Sequence, residues 1–379
     1  MLVDPDTRRA IANEQDAGGL LKPTGDGIFA GTLPSALALA NTALDIGGKR
    51  WAMVLLPLPN DPRELATLLA HEAFHRVQPE LSLAVDATEG RNGHLDREQG
   101  RYWLQLELRA LDRALAELEA GRDPRGAARD ALTFRAERRR LFQQAGSDEA
   151  ALERAEGTAE YTGIMAAAGR VAERVALARR NVERLPERSS FTRAFAYATG
   201  PAYGLLLDGL ADAGWRRRFI AGGTFDQLLA SAAGGAVNAT PTARSALYDG
   251  PALAASERVR EAARQKREVE LRASLVDGPA LVVPLTGSIS FDPGQVTVLE
   301  GAGTVYRGLK TSGPWGSLDA RGAALVAPDW SSVRVAGPVA FHSNVATGPD
   351  WRLELNTRWS IAPGAVPGTR TITRTAPAK

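Results

Sequence analysis

From residue 61 to about 273, apolar positions recur at helical spacing through long Ala/Leu/Arg/Glu stretches, which predicts an α-rich region. Candidate helices within it run over 96–120 and 126–145. Beyond 274 the pattern turns to short alternating runs rich in Val, Thr, Trp, Gly and Pro. Turn signals punctuate them at 292–295 (Asp-Pro-Gly-Gln) and 301–303 (Gly-Ala-Gly). The clearest run is 351–359, with Trp351, Leu353, Leu355, Thr357 and Trp359 on one face and Arg352, Glu354, Asn356 and Arg358 on the other. The runs 296–301, 304–309 and 332–341 read the same way. Residues 1–60 are mixed, with glycine-rich loops and one strand candidate at 51–59. The expected fold class is α+β. A mainly helical domain with a small sheet would occupy 1–250 and a connecting helix 251–273, before an antiparallel all-β sandwich or barrel over 274–379.

One helix carries the chemistry. Asp61 can cap it, Pro62 suits its first position, Glu64 would complete a capping box, and Pro79 ends it. Leu65, Leu69, Ala73 and Val77 form an i, i+4 stripe expected to face the core. His71 and His75 project from a neighbouring face, one turn apart, in the segment His-Glu-Ala-Phe-His. Two imidazoles so spaced can bind one zinc ion, and Glu72 sits beside them where a general base belongs. A pair of satisfied core or surface histidines is the plainer alternative. With four histidines in 379 residues, however, a chance H-E-x-x-H match is expected on the order of 0.003 times.

A third ligand must come from elsewhere, since Gln78 and Leu81 stand where a longer histidine motif would place Gly and His. One candidate stretch is 151–163, on a helix that Ser147 can cap, with Glu156 and Glu160 one turn apart. Gly157 in its interior costs about 1 kcal/mol relative to Ala, which close approach to the metal helix would explain. Rivals are His94, Asp96 and Glu98; a solvated acidic face for Glu153, Glu156 and Glu160 is the non-functional alternative. His71-Glu72-x-x-His75 followed by Glu156-Gly157-x-Ala159-Glu160-Tyr161 resembles the gluzincin zinc peptidases, which include the thermolysin-like and aminopeptidase-N-like families. The resemblance implies a zincin-like catalytic domain, one Zn2+, Glu156 as third ligand and Glu160 as support for a zinc-binding histidine. It covers residues 51–210 at most, and the interval between His75 and Glu156 is longer than in those families. Tyr197 lies in a Tyr-x-x-Gly segment similar to one whose tyrosine stabilises the oxyanion in aminopeptidase-N-like enzymes, with Tyr203 as fallback. His94, Tyr161 and Tyr203 are possible substrate contacts. Strand 51–59 would be the edge strand that receives an extended peptide. No Gly-Ala-Met-Glu-Asn motif is present to hold a free amino terminus.

Composition narrows this little further. The absence of cysteine excludes disulfides, thiolate ligands and a cysteine nucleophile. The net charge of +2 is near neutral, and the arginine-rich run at 134–144 reads as a solvated or partner-facing helix face, so no nucleic-acid partner is expected. No run is long and apolar enough for a membrane span. The first residues do not read as a signal peptide, and localisation stays open: periplasmic or secreted after removal of a leader, otherwise cytoplasmic. The leading expectation is a zinc metallopeptidase acting on a peptide or protein. The alternatives are a zinc amidase for a cell-wall amide, and a zinc-stabilised binding protein whose β domain contacts protein or glycan through Trp315, Trp330 or Trp351.

Overall fold

The computed structural model describes residues 1–34, 37, 39–83, 92–210, 213–235, 240–291 and 296–375. The fold is α+β, a helical region followed by a curled β-sheet. The chain divides into two compact units, residues 1–32 with 41–260 and residues 33–40 with 261–379. No helix of the described residues is long and apolar enough to cross a membrane.

The first unit opens with six short strands: β1 (Leu2–Val3), β2 (Arg9–Ala12), β3 (Lys22–Gly25), β4 (Ile28–Thr32), β5 (Thr42–Ile46) and β6 (Lys49–Leu55). They form one sheet in the order β3-β4-β2-β1-β6-β5. The strand expected at 51–59 is therefore β6, ending at Leu55, and it is not an edge. Ladder bonds to β5 and β1 flank it, leaving β5 as the terminal strand.

Seven helices follow: α1 (Pro62–Val77), α2 (Glu98–Glu119), α3 (Arg125–Leu141), α4 (Ala145–Leu152), α5 (Thr158–Ala167), α6 (Val171–Arg184) and α7 (Phe195–Leu210). Shorter helices α8 (Trp215–Ile220), α9 (Phe225–Ala233) and α10 (Pro241–Ser245) precede α11 (Gly250–Arg272). Leu104, Leu108, Leu111 and Leu115 run down one side of α2 and are all buried. Each such leucine contributes about 1.5–3 kcal/mol. Helices α3, α6 and α7 pack around α2, with Phe134, Val175, Phe195 and Leu206 filling the space between them.

The arginine run lies in α3, and its inner members are not solvated. Arg135 and Arg138 are fully buried against Glu107 of α2, with Glu149 of α4 and Glu153 just after it. The expectation failed because no carboxylate that neutralises these arginines is visible as a partner in the run itself.

In the second unit, eleven strands form one continuous sheet: β7 (Ala280–Pro284), β8 (Ile289–Ser290), β9 (Val296–Leu299), β10 (Gly303–Gly313), β11 (Gly316–Val326), β12 (Ser332–Ala336), β13 (Ala340–His342), β14 (Val345–Gly348), β15 (Trp351–Leu355), β16 (Trp359–Pro363) and β17 (Thr369–Arg374). Pairing is antiparallel except between β7 and β17, which run parallel. Alternation along β15 buries Trp351, Leu353 and Leu355 and exposes Arg352 and Glu354. The run stops at Leu355, because Arg358 adopts φ 74° in a turn before β16. The turn at 301–303 joins β9 to β10, while the one at 292–295 lies outside the described residues. Trp315 and Trp351 are core residues whose indole N–H groups donate to the Pro284 and Ala336 carbonyls, so neither is an exposed contact. Trp330 is partly buried beside Phe291 and Tyr306.

Candidate metal centre

Helix α1 begins as its sequence predicts: the Asp61 carboxylate accepts from the Arg63 amide at 2.8 Å, with Pro62 in the first turn. Glu64 does not close a capping box; its carboxylate accepts instead from Arg180 and Arg184 of α6. The Leu65 stripe is also not core. Leu69 is 41% and Val77 39% exposed, and Ala73 is exposed as well. The buried residues of α1 are His71 and Glu72, because α5, β5 and β6 pack on the side that carries them. The helix thus buries its polar chemistry rather than its apolar stripe.

Opposite α1, α4 and α5 form one continuous helix whose middle, Glu153–Gly157, widens into a π-turn, with the Thr158 amide donating to the Glu153 carbonyl. Ser147 lies inside this helix, which starts at Ala145, and donates to the Gln144 carbonyl rather than capping. Gly157 answers a close approach, but to α7 rather than to α1. A Cβ at Gly157 would stand 3.1 Å from the Gly200 Cα, and one at Gly200 would fall within the Gly157 backbone. Gly163 is the glycine set against α1, at Thr67. The π-turn has no signature in the sequence; such turns recur at functional sites.

Three donor atoms converge between these helices. His71 Nε2 lies 3.0 Å from His75 Nε2, and Glu156 Oε2 lies 3.4 and 3.5 Å from those two nitrogens. Ligands about 2.1 Å from a tetrahedral ion lie about 3.4 Å apart, so these spacings suit one ion. The donor chemistry fits as well: two imidazole nitrogens this close cannot both point N–H at each other, whereas one cation satisfies both lone pairs and the carboxylate. Glu160 Oε2 sits 2.9 Å from His71 Nδ1, and its other oxygen accepts from Asn181. Tyr197 stacks on His71, with ring centroids 5.4 Å apart and planes at 5°, and its hydroxyl donates to Glu156 Oε2 at 2.7 Å. Arg193 donates to Glu156 Oε1 at 3.2 Å. Glu72 is 4% exposed, and its Oε2 has no hydrogen-bond partner among the described residues.

The charges are strongly coupled. Burial pushes the Glu72 carboxyl up to about 7, against the opposing pull of His71 and His75. Burial would lower both histidines, but the carboxylates outweigh it, raising His71 to about 10 and His75 in the same direction. Glu156 is held well below the ordinary range, since hydrogen bonds from both histidines outweigh its burial. Burial and the neighbouring Glu156 keep the Tyr197 hydroxyl protonated far above its usual value. The site is a carboxylate-rich, desolvated pocket that favours positive charge at its centre.

The remaining candidates lie elsewhere. His94 Nε2 contacts Glu149 at 2.9 Å, and Asp96 accepts from Ser190 and the Phe191 amide, so among the described residues the 94–98 group joins no metal cluster. Tyr203 is fully buried with its hydroxyl on Glu107, and Tyr161 is 7% exposed, donating to Asp208. Three residues beside the site were not expected there: Asn181, Arg193, and Gln78, which was noted only as replacing the glycine of a longer histidine motif. Gln78, three residues beyond His75, shares its helix face and was the findable one; Asn181 and Arg193 carry no local signal. The chain matches no protein-family model, no curated protein and no solved structure.

Proposed function

We propose that this chain is a zinc-dependent hydrolase of peptide bonds. The observation that carries the reading is the convergence of His71, His75 and Glu156 beside the buried Glu72, whose Oε2 has no hydrogen-bond partner among the described residues. A zinc ion held by those three side chains would supply a Lewis acid that acidifies water and polarises a carbonyl. Glu72 takes the proton from the attacking water and delivers it to the leaving amine. Tyr197, whose hydroxyl now donates to Glu156 Oε2, is the proposed donor to the oxygen that gains charge. Strand β5, the terminal strand beside α1, takes the role expected for 51–59 and pairs with an extended substrate.

The test is metal analysis with a casein and peptide-library assay on the parent, Glu72→Gln and Glu156→Ala. The parent is expected to hold one zinc and hydrolyse, Glu72→Gln to keep zinc but lose about 10²–10⁴ in rate, and Glu156→Ala to lose both. Hydrolysis unchanged in Glu72→Gln would overturn the mechanism.

A further inference from the structure

Resting on that zinc reading, we infer that Gln78 is a positioning residue that sets the tautomer and ring orientation of His75. The amide of Gln78 is buried and can face only one way. Its Nε2 donates to the Ala155 carbonyl at 2.6 Å and to Thr158 Oγ1 at 3.2 Å. The Thr158 hydroxyl spends its own proton on the Arg154 carbonyl at 2.6 Å, so toward Gln78 it is an acceptor. Both partners therefore demand the NH₂ group. Oε1 is left to face His75 Nδ1, at 2.7 Å. An amide oxygen there accepts a proton and donates none, so Nδ1 carries the hydrogen, and in the neutral, zinc-bound ring the lone pair is on Nε2, which faces His71 and Glu156.

The two histidines are thus oriented by different chemistry. Glu160 does for His71 with a carboxylate what Gln78 does for His75 with a neutral amide. A second carboxylate there would add charge to a pocket already holding Glu72, Glu156 and Glu160. Gln78 also ties the end of α1 to the π-turn, since Ala155 and Thr158 flank Glu156 along that helix. Whatever orients His75 is thereby referenced to the segment that places the third donor.

Two substitutions separate orientation from mere clipping. Gln78→Glu keeps an acceptor for His75 Nδ1 but loses the donors to Ala155 and Thr158; Gln78→Met loses both. Zinc affinity is read by titrating zinc sulfate against a chromophoric chelator, and metal-free stability by thermal unfolding. Both variants are expected to melt below the parent. Gln78→Met should bind zinc about 10–100-fold more weakly, while Gln78→Glu stays within about threefold of the parent. Nitrogen-15 histidine spectra of the zinc-loaded parent should place the His75 proton on Nδ1. Equal loss of affinity in both variants makes Gln78 a structural clip and overturns the inference, as does unchanged affinity in Gln78→Met. If the parent itself binds no zinc, or binds it no better than His71→Ala, the metal reading fails and the inference falls with it.

Discussion

Replacing Arg138 by methionine removes one guanidinium from the interior of the helical unit while keeping most of the aliphatic stem. Arg138 is fully buried and makes two bonds to Glu149, at 2.6 and 2.9 Å, and one to Glu107 at 2.5 Å; both carboxylates are also fully buried. Removing one partner from a buried ion group costs about 3–5 kcal/mol, because the charge left behind stays desolvated. Here each carboxylate retains help: Glu149 keeps Arg139 and His94, and Glu107 keeps Arg135 and the Tyr203 hydroxyl. The lower end, about 3 kcal/mol, is therefore expected. In a helical unit of this size each kcal/mol lowers the melting midpoint by about 2–4 °C, giving a drop of roughly 6–12 °C. Differential scanning calorimetry on the full chain reads it, with Arg140→Met as control. Arg140 ends the same run but faces solvent beside Glu137, and its loss should leave the transition in place. A midpoint for Arg138→Met within about 2 °C of the parent, or above it, refutes the reasoning. Desolvation would then have cancelled the attraction, and the network would not be what holds α3 to α4.

The same network makes the helical unit acid-sensitive. Glu149 sits well below its ordinary value of 4.5, burial being outweighed by Arg138, and Asp226 is lowered by Arg135 and Arg139 against its own burial. A depressed folded pKa gives stability that is complete above the unfolded value and lost as pH falls toward the folded one. The contribution of this network to the urea midpoint should accordingly fall away below about pH 4.5; a midpoint indifferent to that range contradicts the assignment. Gly200→Ala forces α7 away from the π-turn and should cost about 1–3 kcal/mol, while weakening zinc binding by moving Tyr197 and Glu156. Gly157→Ala, with its nearest foreign atom at 3.1 Å, should be milder in both thermal unfolding and zinc titration.

Much of the architecture was legible where local rules and tertiary environment agree. Asp61 and Pro62 announce α1, the leucines of α2 announce a buried helix, and Trp351-x-Leu353-x-Leu355 announces a strand with one buried face. The failures share a physical cause. Strands β1 to β5 are two to five residues long and are held by their neighbours' ladders, with Lys22–Gly25 exposed at every position. The Leu65 stripe was misread because a helix that buries His71 and Glu72 turns its other faces outward. Arg135 and Arg138 were misread because Glu107 and Glu153, which neutralise them, arrive from other elements. A sequence displays each charge but not its distant partner.

The acidic helix shows how tertiary structure changes the meaning of a spacing. Glu149, Glu153, Glu156 and Glu160 follow one another at intervals of four, three and four, which in an unbroken α-helix puts all four on one face. A single face cannot serve both the arginine network and the histidine pair. The π-turn at Glu153–Gly157 takes up an extra residue, and one residue is about 100° of helix. Its partners divide accordingly. Glu149 and Glu153 accept from Arg138 and Arg135, while Glu156 and Glu160 meet His71 and His75. Thr199 and Tyr197 of α7 donate to Glu153 and Glu156 respectively, so one neighbouring helix grips the turn on both sides of the division. The close crossing of Gly157 and Gly200 is what brings those two donors near enough. The irregular turn thus anchors one pair of carboxylates in the core and aims the other at the histidine pair.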